Sequence, residues 1–267
     1  MSETSSSSDT LARAVRQQLE SLQASGLGQL PKAKRKLPAA VGATAKQDVS
    51  AKNAKTVAAA QQVAPSIVAP KLTRSTTASV GGDSLEILQS EVAACRQCGE
   101  LARTRTQTVF GVGNPAARLC FVGEAPGADE DRRGEPFVGR AGQLLDKIIE
   151  ACRMRREDVY ILNILKCRPP GNRVPLPEES QNCRGYFERQ LALIQPEYIC
   201  CLGSTAAQNL LGTTETIGKL RGRLHQWGDI RVLCTYHPAY LLRNPAAKKD
   251  VWEDMQYLMR ELGMPTG

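Results

Sequence analysis

The chain has 267 residues, of which 42% are hydrophobic, 23% charged and only 4% aromatic, and its formal net charge is +8. That length suits one domain of ordinary size with a tail to spare; with no apolar run of about 18 residues and no charged-then-apolar leader, neither a membrane span nor export is expected. Nine cysteines, an odd number, favour buried thiols or a metal site over a disulfide framework, and a reducing, cytoplasmic compartment.

Residues 1–83 carry eleven Lys and Arg against five Asp and Glu, a net of +6, and hold no aromatic residue and no cysteine. Such a composition buries too little apolar surface to offset ordering entropy, so a disordered basic arm is expected, with residues 84–267 as the folded domain. Within the arm, Lys32, Lys34, Arg35 and Lys36 could hold phosphates. Leu11, Val15, Leu19 and Leu22 form one apolar stripe on a short helix that could dock on a protein partner. A solvated linker and an idle helix are the plainer alternatives.

Beyond Ser84, short apolar runs alternate with amphipathic stretches, the pattern of an α/β domain with a parallel sheet. Strands are expected at Leu119–Val122, Val159–Leu162, Tyr198–Leu202 and Val232–Thr235, with helices over 142–154, 178–194, 204–211 and 247–262. The residues after each strand carry the interest: Gly123-Glu124-Ala125-Pro126-Gly127 after the first, Asn163 after the second, Gly203-Ser204 after the third and His237-Pro238 after the fourth. Ligands of open α/β sheets bind outside the carboxyl ends of the strands, so these segments should meet at one crevice.

Cys95 and Cys98 form a CxxC, and Cys167 and Cys183 bracket a proline-rich loop that needs a staple. Four thiolates from two distant segments suit tetrahedral zinc or an iron–sulfur cluster, and spacing alone does not separate the two. Cys120, Cys200, Cys201 and Cys234 fall inside apolar strands and Cys152 near a helix end, as small buried hydrophobes do.

Taken together, Cys95-x-x-Cys98, GEAPGADED at 123–131, GEPFVGRAGQLL at 134–145, NILKCRPPGNRVP at 163–175, Cys183 and HPAYLLRNP at 237–245 resemble the family-4 uracil-DNA glycosylases. The resemblance runs from about Ser84 to Leu262 and leaves out the arm. It implies a three-layer αβα sandwich around a four-stranded parallel sheet. It also implies a [4Fe–4S] cluster on Cys95, Cys98, Cys167 and Cys183, with zinc the lesser alternative, and removal of uracil from DNA by a monomer. By that resemblance Phe137 is the stacking face for an extruded base. Asn163 reads uracil by accepting from N3–H and donating to O4, with Lys166 a candidate for fixing its orientation. Main-chain groups around Ala125 and Gly127 complete the pocket, and His237 donates to the oxygen that gains charge as the glycosidic bond breaks.

Leu241 is the expected wedge for the vacated stack and Arg243 a phosphate contact, with core packing the alternative for Leu241 and Leu242. Another family of these enzymes carries an aspartate where Ala125 stands, so water activation falls to Glu124, Glu130 or Asn172; Glu130 could instead line the C5 side of the base. A silent damage-binding module and a relative that traps the sugar through a loop histidine are the competing classes. No histidine lies between Asn163 and Cys183, which disfavours trapping, and His225 is expected on a polar surface.

Overall fold

Six short strands form one mixed sheet in the computed structural model, which describes residues 84–266. The basic arm, its lysine cluster and its leucine stripe lie outside the described residues. Two helices, α1 (Leu85–Ala94) and α2 (Gly99–Thr104), precede the sheet. Ser84 starts α1 by accepting the Ile87 N–H at its hydroxyl. The chain then runs through β1 (Val112–Gly113), β2 (Leu119–Gly123), α3 (Ala128–Arg133), α4 (Arg140–Ala151), β3 (Tyr160–Asn163), α5 (Pro177–Ile194) and β4 (Tyr198–Leu202). It closes with α6 (Ser204–Leu211), α7 (Ile217–Leu220), β5 (Leu224–Trp227), β6 (Ile230–Thr235), α8 (Pro238–Arg243) and α9 (Lys248–Glu261).

The strand order is β1-β3-β2-β4-β6-β5. The four strands expected from their apolar runs make the parallel middle, and antiparallel β1 and β5 add an edge on either side. The expected four-stranded sheet is thus a six-stranded one. β1 is only two residues long and only Trp227 of β5 is fully buried, so neither carries the continuous apolar run of a buried strand.

Side chains alternate between the two faces, and both faces are buried. Cys120, Val122, Leu162, Ile199, Cys201 and Val232 pack under α5 and α6 through Phe187, Leu191, Ala206 and Leu210. Leu119, Phe121, Ile161, Cys200, Leu202 and Leu233 pack under α4, α8 and α9 through Leu145, Ile149, Leu241, Val251, Met255 and Leu258. Helix, sheet and helix therefore form three layers. Among the described residues, no helix is long and apolar enough to cross a membrane.

After β2 the chain runs to β3 on one side of it and then to β4 on the other, so the direction of winding switches beside β2 and opens a crevice at the carboxyl ends. Gly123 and Asn163 are paired partners at that end. The α4 helix is seated there by Gly142: a Cβ on it would lie 1.8 Å from the Phe137 carbonyl oxygen, a backbone atom that cannot swing aside. Gly142→Ala is accordingly expected to destabilise the domain by about 2–3 kcal/mol, an overpacking cost. Urea unfolding measures it, and an unmoved midpoint would show that this contact is not made.

Candidate active site and cysteine site

The carboxyl ends of β2, β3 and β6 open onto a cleft of about 560 Å³. The loop after β2, Phe137, Asn163, the 169–173 loop, His237 and α8 line it. Asn163 is 2% exposed and its amide oxygen has no hydrogen-bond partner among the described residues. A Cβ on Gly123 would stand 2.3 Å from that oxygen and 2.6 Å from Phe137 Cζ, so the missing side chain is what lets amide and ring share the floor. Phe137 sits in the left-handed region, at φ 54°, and its ring stacks on His237 with centroids 5.5 Å apart and planes 30° from parallel.

His237 follows β6 and caps α8, its Nδ1 accepting the Ala239 N–H at 3.1 Å. An acceptor at Nδ1 puts the proton of the neutral ring on Nε2, which is then a donor. Burial pushes the imidazole down to about 4, helped by the Arg243 charge and opposed by Glu130, so the ring is neutral at pH 7.

The other candidates are placed less uniformly. Glu130 lines the cleft, but its Oε1 accepts from Val138 N and Gly139 N, each at 3.0 Å, and its Oε2 from Gly127 N at 3.1 Å. These three bonds tie the loop after β2 to the turn beyond Phe137. Glu124, Ala125 and Gly127 are half-buried in the lining. Asn172 is exposed, and its Oδ1 accepts from Arg168 Nε at 2.7 Å. Arg173 bonds Glu179 and Glu100 and pins the same loop.

The reading of Leu241 is corrected. It is 1% exposed and packs beneath α8, whose inward face also takes Pro238, whereas Leu242 is 40% and Tyr240 38% exposed. The buried leucine is the core residue and the next one meets solvent. Arg243 is exposed and lines the cleft, as a phosphate contact must. His225, expected on a polar surface, lies half-buried on β5 with Nε2 2.7 Å from the Leu220 carbonyl oxygen.

The two cysteine pairs lie within electrostatic reach of each other. Cys95 ends α1, Cys98 caps α2, Cys167 lies four residues past Asn163, and Cys183 sits in α5. Cys167 feels Cys95 and Cys98, and Cys183 feels Cys167 and Cys98. Each sulfur has its own donor. The Tyr186 hydroxyl serves Cys95, Asn182 Nδ2 stands 3.5 Å from Cys98, Arg105 Nη1 is 3.0 Å from Cys167, and the Lys166 N–H serves Cys183. Arg105 also grips the Cys95 carbonyl at 2.7 Å. Donors on every sulfur suit thiolates bound to iron or zinc, and no disulfide competes for them, since all nine cysteines are free. Among the described residues, no three His, Cys, Asp or Glu side chains are grouped as ligands of a single metal ion.

Between cleft and cysteines lies Lys166, 1% exposed, whose Nζ donates to the Asn163 carbonyl at 2.9 Å and the Phe110 carbonyl at 3.2 Å. Burial drives its ammonium down to about 7 while Cys183 and Cys167 pull it up. It therefore holds the main chain of Asn163 and not, as expected, the amide. Arg105, Asn182 and Tyr186 escaped the sequence reading altogether, because Arg105 meets a sulfur 62 positions away.

The profile of the Uracil DNA glycosylase superfamily matches residues 110–256. This chain belongs to that superfamily. Within it, the chain is similar to the type-4 uracil-DNA glycosylase of Archaeoglobus fulgidus, 45% identical over 182 residues, 65% of this chain and 91% of the relative. The type-4 enzymes of Thermotoga maritima and Sulfurisphaera tokodaii are 44% and 41% identical, covering 64% and 68% of this chain and 91% and 86% of the relatives. The superfamily match spans every cleft element named above and stops short of Cys95 and Cys98.

The neutral His237 gives a pH signature. Its folded pKa of about 4 lies below the free value of 6.5, so the unfolded chain binds a proton that the folded one refuses. The stability it contributes is complete above about pH 6.5 and is lost progressively as pH falls toward 4. Ring NMR is expected to show His237 titrating near 4; titration near the free value would place the ring in water.

Proposed function

We propose that this protein removes uracil from DNA, hydrolysing the N-glycosidic bond to leave an abasic site, in keeping with its uracil-DNA glycosylase relatives. The observation that carries this reading is the buried, unpartnered amide oxygen of Asn163, framed by an aromatic face and a neutral imidazole donor. A buried acceptor left unpaired costs about 1–3 kcal/mol, and the N3–H of an extruded uracil would satisfy it. The amide NH₂ then donates to O4, Phe137 covers the ring, and main-chain groups at Ala125 and Gly127 close the pocket.

His237 Nε2–H faces O2 and meets the negative charge that gathers there as the bond to the sugar breaks. A neutral donor whose proton is already placed needs no reorganisation at that moment. Departure of the uracil anion supplies most of the driving force, and Glu124 and Asn172 position the water. Leu242 and Tyr240, both exposed on α8, fill the vacated stack in place of Leu241, and Arg243 takes a phosphate.

Cys95, Cys98, Cys167 and Cys183 hold the [4Fe–4S] cluster in this reading, supported by the donor on each sulfur. When bound, the cluster ties the α1–α2 corner to the loop after β3 and to α5. The purified protein should be brown with absorption near about 400 nm, and Cys183→Ser should lose that colour and folding yield before it loses chemistry. A colourless, fully active protein with stoichiometric zinc would refute iron.

Incubation with a uracil-containing oligonucleotide tests the activity: an abasic product supports it, whereas binding alone or an adduct that survives denaturation points to the silent or the trapping class. His237→Ala should slow single-turnover excision by about 10² to 10³, the loss typical of one donor to a developing oxyanion, with substrate affinity little changed. Asn163→Asp should lose most uracil excision and gain weak cytosine excision at mildly acidic pH, where a protonated carboxyl donates to cytosine N3. Retention of the parental uracil rate would remove Asn163 from the base-reading role.

A further inference from the structure

A chain of stacked groups runs from the interior through Tyr236 and ends at the cleft. At its inner end the Asp254 carboxylate, 1% exposed in α9, accepts from Arg221 Nε at 3.0 Å and from the Thr235 hydroxyl at 2.6 Å. Arg221 also donates to the Asp250 carbonyl. So held, its guanidinium lies over the ring of Tyr236, 5.6 Å from the centroid. Tyr236 in turn stacks with Tyr240, the ring centroids 5.0 Å apart and the planes 25° from parallel. Tyr240 is 38% exposed and lines the cleft with Arg243. Its N–H donates to the His237 carbonyl at 2.8 Å, which ties the aromatic residue to the backbone that carries the imidazole. Ordering an exposed aromatic costs rotamer freedom, and in Tyr240 that freedom is already reduced before a ligand arrives.

We propose that Tyr240 is a one-sided stacking platform for the nucleobase that borders the extruded uracil, and that Tyr236 and Arg221 are positioning residues that hold its ring ready. This rests on the uracil reading of the cleft. One face of Tyr240 is taken by Tyr236, so the ring caps a single base and does not slide between two. Its share of the vacated stack is therefore one border of the gap, and the gap itself is left to Leu242. Arg243, which lines the cleft beside Tyr240, is placed for a phosphate of the capped strand.

The test uses duplexes carrying 2′-fluoro-deoxyuridine, which resists glycosidic cleavage, with 2-aminopurine on its 5′ or its 3′ side, a fluorescent base that brightens when unstacked. Affinity and emission are read for the parent, Tyr240→Leu, Tyr240→Phe, Tyr236→Leu and the double variant. Tyr240→Leu is expected to weaken binding by about 10-fold, the loss typical of one base–aromatic stack, and to brighten 2-aminopurine on one side of the uracil only. Tyr240→Phe should bring both readings back toward the parent. Tyr236→Leu should weaken binding by about 3-fold where Tyr240 is present and add nothing to Tyr240→Leu, a coupling that the double variant measures. A tyrosine pair that merely packs would move thermal stability without moving the emission or the coupling.

Parental affinity in Tyr240→Leu overturns the proposal. So does equal brightening on both sides, which would make the ring a wedge between two bases, and so does an effect of Tyr236→Leu that is the same with and without Tyr240. Should Tyr236→Leu not fold, Arg221→Lys, which keeps the charge beside Asp254 but removes the flat guanidinium, takes its place under the same criteria. The parent is also incubated with a duplex carrying ordinary deoxyuridine. A parent that releases no uracil overturns the functional reading and this inference with it; an active parent with indifferent variants overturns the inference alone.

Discussion

A buried hydrogen-bond acceptor without a partner in the protein is expensive, and the cleft is built around one. The amide of Asn163 stands at the carboxyl end of β3, the residue at 2% exposure, with its main-chain carbonyl held by Lys166 and its side chain close to Phe137. Each neighbour depends on that arrangement. Gly123 must lack a side chain because the amide and the ring already occupy the space. Phe137 takes a left-handed backbone conformation to bring its ring inward, and Gly142 lets α4 come close enough to hold it there. These contacts hold the walls of the cleft without satisfying the amide oxygen.

The polar groups divide between those aimed at a ligand and those that hold the walls. Glu130 belongs to the second kind, its carboxylate occupied by three backbone N–H groups. Asp131, its neighbour, is 2% exposed and does similar work on the opposite side, receiving the Thr106 N–H and hydroxyl and so anchoring the segment after α2 to α3. Behind His237, Thr235 donates to the buried Asp254 at 2.6 Å, and Arg221 reaches the same carboxylate at 3.0 Å. The imidazole at the end of β6 thus stands on a braced strand, and its orientation is fixed before any ligand arrives.

The parallel middle of the sheet was legible because strands buried on both faces must be apolar throughout, and their ends marked the crevice. The edges were not: β1 is too short to show a pattern, and of the four residues of β5 only Trp227 is fully buried. A signal for β5 existed in the two-residue Gly228-Asp229 link between Trp227 and Ile230, which pair across the hairpin. At the site, Asn163, Phe137 and His237 could be named from sequence through the resemblance, since each lies in a contiguous motif. Leu241 and Leu242 could not be told apart, because adjacent leucines on a six-residue helix exchange roles with a small change in where the helix begins. The bracing contacts of Glu130 were not legible for another reason: its partners are main-chain groups, which are the same at every position and leave no trace in the residue types.

The order of the cysteines and the histidine along the chain bears on biosynthesis. All four cysteines, together with Arg105, Lys166, Asn182 and Tyr186, precede β4, whereas His237 follows β6. A chain growing from its N-terminus therefore displays all four of these cysteines, with their hydrogen-bond donors, before the last two parallel strands exist. The imidazole of His237 then joins a cleft whose other wall is already in the chain.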